Sequence, residues 1–210
     1  MLMRTQTKRE ESLNVLTHGL GAILSVIGFI LLINANTYKT SWSTFSIVVY
    51  GLSMIILFTA STLYHYVEGE RKKHYFKVVD HISIYLLIAG TYTPVTLIIL
   101  EQSLGWTLFY IVWGIAAFGT ILKLFFTGRF NVFSTLLYLV MGWLIVFDYT
   151  NVADALGTKG VYLLFGAGIF YTIGIVFYAI EKIPYNHVIW HLFVLGGAIC
   201  HFLMMLWYVI

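Results

Sequence analysis

The sequence predicts an all-α integral membrane protein, a single bundle of seven transmembrane helices taking in residues 1–210. Three observations carry that prediction. First, 60% of the residues are apolar and only 10% are charged, with a mean hydropathy of +0.88. A soluble domain has about 45–50% apolar and about 25% charged residues. Second, seven apolar runs are each long enough to cross roughly 30 Å of hydrocarbon, which takes about 17–25 residues of helix. They do not alternate apolar with polar, so a membrane barrel is excluded. Third, the basic residues sort by alternate connections. Arg4, Lys8, Arg9, Arg71, Lys72, Lys73, Lys77, Lys123, Arg129 and Lys182 fall on one side; Lys39 and Lys159 fall on the other. Basic residues accumulate in the cytoplasm. This split therefore predicts an internal N-terminus and an external C-terminus.

The elements follow in order. The polar start MLMRTQTKREES precedes an apolar run at about 13–34, which is full length and lacks a small-residue cleavage site; it reads as a first membrane helix and not as a removed signal peptide. Helix 2 covers about 43–67 and ends ASTLYHY. The charged stretch EGERKKHYFK (68–77) reads as a connection. Helix 3, about 77–100, opens with FKVVDHIS and contains Pro94, which predicts a kink. Helix 4 spans about 105–127. Helix 5, about 132–150, is the shortest run, and DYTNVADALGTKG (148–160) reads as a polar connection to helix 6, about 160–180. Helix 7 runs over about 186–209, after Pro184, with Asn186 as a candidate N-cap. Gly21 with Ser25, and Gly166, Gly168 and Gly174, suit close helix packing.

The net charge of +3 is small and its basic residues sit at helix ends, which speaks for topology control and against nucleic-acid binding. Cys200 is the one cysteine, so an intrachain disulfide and a thiolate metal cluster are both excluded.

The predicted topology gives each polar residue a depth. His187 and His191 occupy the first two turns of helix 7, one turn apart on one face, near the cytoplasmic side. His201 lies ten residues further, roughly 15 Å deeper at about 1.5 Å per residue. Ser61 and His65 share a face at the cytoplasmic end of helix 2, and Asp80 lies about one turn into helix 3 at a matching depth. Ionisable groups in a membrane are costly and find partners. A metal ion partners several at once, and two imidazoles one turn apart with a third from another helix make a three-histidine site that suits zinc. Against this, interfacial histidines also touch headgroups or cap helices, and Val188 stands where a metalloprotease H-E-x-x-H motif has glutamate. Spacing leaves His18, His65 and His81 open as the third ligand. His74 sits in the charged stretch and reads as solvated.

The stretches ESLNVLTHGLGA, ASTLYH, DHISIYLLIAGTYTP and NHVIWHLFVLGGAICHF together resemble the haemolysin III family. This is the bacterial branch of the progestin and adipoQ receptor superfamily, which includes the adiponectin receptors. The resemblance covers nearly the whole chain. It implies a seven-helix bundle in the bacterial plasma membrane, with zinc near the cytoplasmic face held by His65, His187 and His191. Ser61 and Asp80 match the polar partners that hold or activate water at the zinc. The receptors' long cytoplasmic N-terminal region has a counterpart of only about a dozen residues here, so a receptor function is not expected. Three histidines leave one zinc position open, as catalytic sites do. With the superfamily's likeness to alkaline ceramidases, this implies a zinc-dependent hydrolase of a lipid amide or ester, entered from the membrane. Two alternatives stand beside it. One is the cytolytic pore former of the family name. The other is a non-enzymatic sensor or regulator of membrane state with a structural zinc.

Overall fold

The computed structural model describes residues 6–210, and every regular element among them is helical. The helices are α1 (Lys8–Ala35), α2 (Ser43–Tyr66), α3 (Glu70–Pro94), α4 (Gly105–Phe126), α5 (Asn131–Trp143), α6 (Tyr149–Ala179) and α7 (Asn186–Met204). Six helical stretches are long and apolar enough to cross a membrane; one of them is the 49-residue stretch Asn131–Ala179.

That stretch does not run straight. The backbone of Gly157 leaves helical geometry at φ 62°, a region open to glycine at little cost. The chain doubles back there. The Trp143 indole N–H donates to Thr172 Oγ1 at 3.2 Å, and its ring packs on Phe165. A straight helix would hold residues 143 and 172 roughly 44 Å apart. Asn131 thus starts at one end of the bundle. Asp148 reaches the other end, where it accepts from Ser103 Oγ and the Leu104 N–H, and Phe177 returns to the first end beside Asn186.

Several helices begin in polar residues that hydropathy assigns to connections. α1 starts at Lys8 because Thr7 and Glu10 form a reciprocal capping box: Glu10 N–H donates to Thr7 Oγ1 at 3.2 Å, and Thr7 N–H to Glu10 Oε2 at 2.8 Å. α3 starts at Glu70, so most of EGERKKHYFK is helix; Glu, Arg and Lys are good helix formers. The predicted polar connection 148–160 is likewise a short 3₁₀ turn, Leu144–Asp148, running into α6, with its break confined to Gly157. Asn186 is not an N-cap. Tyr185 takes that place, and the Asn186 amide instead donates to the Phe177 carbonyl at 3.1 Å, joining α7 to the end of α6.

After Pro94 the α-helix gives way to a π-helical turn, Val95–Ile99, where the missing proline N–H releases the i−4 bond. Of the predicted small residues, Gly21 and Gly174 pack closely, whereas Gly166 and Gly168 have only ordinary contacts. A Cβ on Gly21 would collide with the Phe58 ring, and one on Gly174 with Trp190 and Phe193.

The basic residues sort by end. Lys73 and Lys123 lie at the end where α2 finishes and α3 begins, whereas Lys39 binds the Val209 carbonyl at the opposite end. Arg4 lies outside the described residues.

Candidate metal centre

The last turn of α2 and the first two turns of α7 meet at the first end of the bundle. They bring His65, His187 and His191 together, with one ligand atom from each lying within 4.8 Å of the others. Ring centroids are 4.7–5.0 Å apart. His65 and His191 are buried and His187 is half-buried.

The outer nitrogens of two of the rings are already engaged. His65 Nδ1 lies 2.5 Å from Glu11 Oε2, and Asn14 Nδ2 stands 3.4 Å from the same nitrogen. Glu11 Oε1 accepts from Lys73 Nζ at 2.6 Å, and that ammonium lies over the Tyr64 ring. Thr17 Oγ1 is 3.3 Å from His191 Nδ1. A carboxylate on Nδ1 assigns the proton to that atom and leaves the Nε2 lone pair free. His65 Nε2 is buried and has no hydrogen-bond partner among the described residues. An unpaired buried acceptor in a low-dielectric site is costly. A cation shared with two further imidazoles removes that cost, and carboxylate–histidine pairs of this kind are usual behind metal ligands. The donor set therefore fits a metal ion.

The other histidines separate. His18 stacks face to face on His191, with centroids 3.5 Å apart and planes within 7°. It presents its ring and not a nitrogen, and neither nitrogen has a hydrogen-bond partner among the described residues. His81 sits on another face of α3, where its carbonyl accepts from Tyr138 Oη at 3.0 Å. His74 is exposed. His201 lies beside Tyr171 on a central cavity of about 140 Å³. Ser61 and Asp80 are both buried, with the Ser61 side chain against the Asp80 carboxyl and His65 close enough to act on it by charge. The cavity is lined chiefly by apolar side chains such as Leu57, Ile88 and Trp190. It reaches the site at Tyr178, whose ring is 6.0 Å from that of His187.

Sequence reasoning did not single out Glu11, Asn14, Thr17 or Lys73. Glu11, Asn14 and His18 recur at i, i+3 and i+7 in ESLNVLTHG, which places them on one face of α1. That spacing was the available signal.

A bundle of long apolar helices with imidazoles gathered at one end defines a multi-pass membrane protein with a candidate metal centre. The family model "Haemolysin-III related" matches residues 6–202, and the chain belongs to that family. It is 46% identical over 211 residues to "Hemolysin-3" of Bacillus cereus, covering 100% of this chain and 96% of that protein. It is 43% identical to the "Hemolysin-3 homolog" of Bacillus subtilis (strain 168), covering 96% and 95%. A more distant similarity, 29% identity over 92% of this chain and 82% of the relative, links it to "Monocyte to macrophage differentiation factor" of Homo sapiens. No solved structure matches the chain.

Proposed function

We propose that this haemolysin III protein is a seven-span membrane enzyme with a cytoplasmic N-terminus and an external C-terminus, in which His65, His187 and His191 hold zinc and a membrane lipid is hydrolysed at an amide or ester bond. The observation that carries this reading is the buried, unpartnered His65 Nε2, backed by Glu11 and facing two more imidazoles.

The reversal at Gly157 supports counting Asn131–Ala179 as two spans, since about 20 residues already cross a bilayer. The orientation rests on the basic residues. Reporter fusions after Lys73, Lys159 and the C-terminus are expected to read cytoplasmic, external and external. A cytoplasmic signal at Lys159 overturns the seven-span count.

His65, His187 and His191 would hold the zinc, which would supply the Lewis acidity that activates water and polarises a carbonyl. Asp80, buried beside Ser61 and acted on by the charge of His65, would take a proton from the attacking water and return it to the leaving amine or alcohol. The Ser61 hydroxyl orients that carboxylate. Once Asp80 carries the proton, the hydroxyl is released to donate to the developing oxyanion. The apolar cavity beside His187 suits an acyl chain and supports a lipid substrate. Metal analysis of the purified protein, with fatty-acid release measured across a panel of membrane lipids, tests the reading. Bound zinc without any turnover would leave a structural zinc in a sensor or regulator. The network of Glu11, His65, Lys73, His187 and His191, which ties α1, α2, α3 and α7 together, favours that second reading.

The name of the Bacillus cereus relative brings a cytolytic reading with it. A water-filled pore needs polar residues along its length, and the apolar lining of the central cavity opposes one.

Glu11 gives a further expected result. Glu11→Ala frees the His65 ring, and zinc affinity, read by competition with a chromophoric chelator, is expected to fall about 10–100-fold. Glu11→Gln keeps an acceptor for Nδ1–H and should recover part of the loss. Equal affinity in all three proteins would remove Glu11 from the site.

A further inference from the structure

A second polar level lies across α3, α4 and α5. Gly119 of α4 packs on the Tyr85 ring of α3, where a Cβ would not fit. The ring of Tyr138 on α5 meets the same Tyr85 ring at 4.4 Å. One helical turn from each of these contacts, toward the first end of the bundle, stand Lys123, His81 and Ser134. The pairs Gly119 and Lys123, Tyr85 and His81, and Tyr138 and Ser134 are each four residues apart, on helices of alternating direction. The three residues therefore share one level under the tyrosine pair. Lys123 is 2% exposed, His81 8% and Ser134 1%.

The level holds a buried cation beside an imidazole and a small cluster of hydroxyls. His81 Nδ1 is buried without a hydrogen-bond partner among the described residues, while the Tyr85 hydroxyl is shared with Ser134 and Tyr138. No carboxylate among the described residues forms an ion pair with Lys123. The charge that acts on Lys123 is that of Lys77, a second cation. A buried ammonium within a membrane-spanning helix is costly without a counter-ion.

We propose that this level is a binding site for a phosphoryl anion, supplied by the headgroup of an anionic membrane lipid. A tetrahedral oxyanion accepts from an ammonium, an imidazole N–H and hydroxyls at once, and so gives Lys123 the counter-ion it lacks, with the Ser134 and Tyr85 hydroxyls turning to donate to it. The lipid source follows from the surroundings. Phe125, Phe126, Phe130 and Phe133 are exposed around the α4–α5 corner, where acyl chains lie, and Arg129 is exposed in the same turn. Basic pockets between helices at a membrane face hold lipid headgroups. The flexible stem of Lys123 lets its ammonium reach toward that corner. The three histidines of the metal centre and Asp80 are not among its proposed ligands.

The test is thermal unfolding of the purified full chain in detergent, titrated with dioleoyl phosphatidylglycerol, with phosphatidylcholine of the same chains, and with inorganic phosphate. Phosphatidylglycerol is expected to raise Tm saturably, and phosphatidylcholine is not. Lys123→Met should weaken half-saturation at least tenfold, while Lys72→Met, at an exposed lysine of the same end, should leave it unchanged. Should Lys123→Met fail to fold, Ser134→Ala and Tyr85→Phe keep the charge, and each should weaken binding on the order of tenfold, as loss of a hydrogen bond to a charged group does. A matching rise with inorganic phosphate alone would support the anion site and overturn its lipid source. Equal responses to the two lipids with none to phosphate, or a preference unchanged in the variants, overturns the proposal.

Discussion

His191→Ala is expected to strip the protein of zinc and to lower its thermal stability by as much as chelation lowers that of the wild type. His191 lies at the centre of the site: its ring centroid is 4.7 Å from His187 and 4.9 Å from His65, with His18 stacked on its face and Thr17 at its Nδ1. Two imidazoles are left after the substitution, fewer than the three protein ligands usual at a catalytic zinc. The affinity loss should therefore exceed the roughly 10–100-fold expected for an outer partner such as Glu11. Binding to the folded state alone adds stability by mass action, about 4 kcal/mol when free metal stands near a thousand times Kd. Wild type should thus lose several degrees of Tm on treatment with a chelator, and His191→Ala should start near that lower Tm and not respond. His74→Ala, at an exposed position, should match wild type in both measurements. Full zinc occupancy in either His191→Ala or His65→Ala would move the site elsewhere.

The parts legible in the sequence share one physical origin. Hydropathy reports what must lie in hydrocarbon, so the apolar cores of the helices stand out. It does not report where a helix stops. Lys8 to Ser12, Glu70 to Phe76 and Tyr149 to Lys159 are polar enough to read as connections, yet they are helical, because capping and intrinsic propensity decide those ends. Gly157 was unreadable for a related reason. A single left-handed residue reverses the chain inside a segment that otherwise forms helix throughout. The site divides in the same way. His187 and His191 are paired by helical spacing alone, whereas the choice of His65 over His18 and His81 needs the rotation of three helices about their axes. Resemblance suggested His65. In the structure His18 lies as near, but turns its ring face to His191. Glu11 lies in a charged first turn, where carboxylates are common at helix starts for reasons of the macrodipole, so nothing in its type marked it as a histidine partner.

Asp80→Asn separates a catalyst from a structural zinc. Asp80 is 8% exposed and meets Ser61, with His65 close by, and it is not one of the three residues whose ligand atoms converge. A carboxylate so placed inside a membrane helix is costly unless a function uses it. Asparagine has nearly the same shape and still accepts a hydrogen bond from Ser61, so packing and zinc content should stay close to wild type. It cannot take a proton from water. Turnover of the lipid amide or ester should therefore fall about 10²–10⁴-fold, the usual cost of losing general acid–base help, with KM nearly unchanged because the acyl chain contacts are untouched. Ser61→Ala should lower kcat less, since it removes an orienting hydroxyl and leaves the proton acceptor in place. A purely structural zinc predicts another pattern: Asp80→Asn would then behave as wild type in every assay, whereas His191→Ala would still unfold at lower temperature. Loss of zinc in Asp80→Asn would instead make the carboxylate a ligand, and the open coordination position that hydrolysis requires would then be occupied.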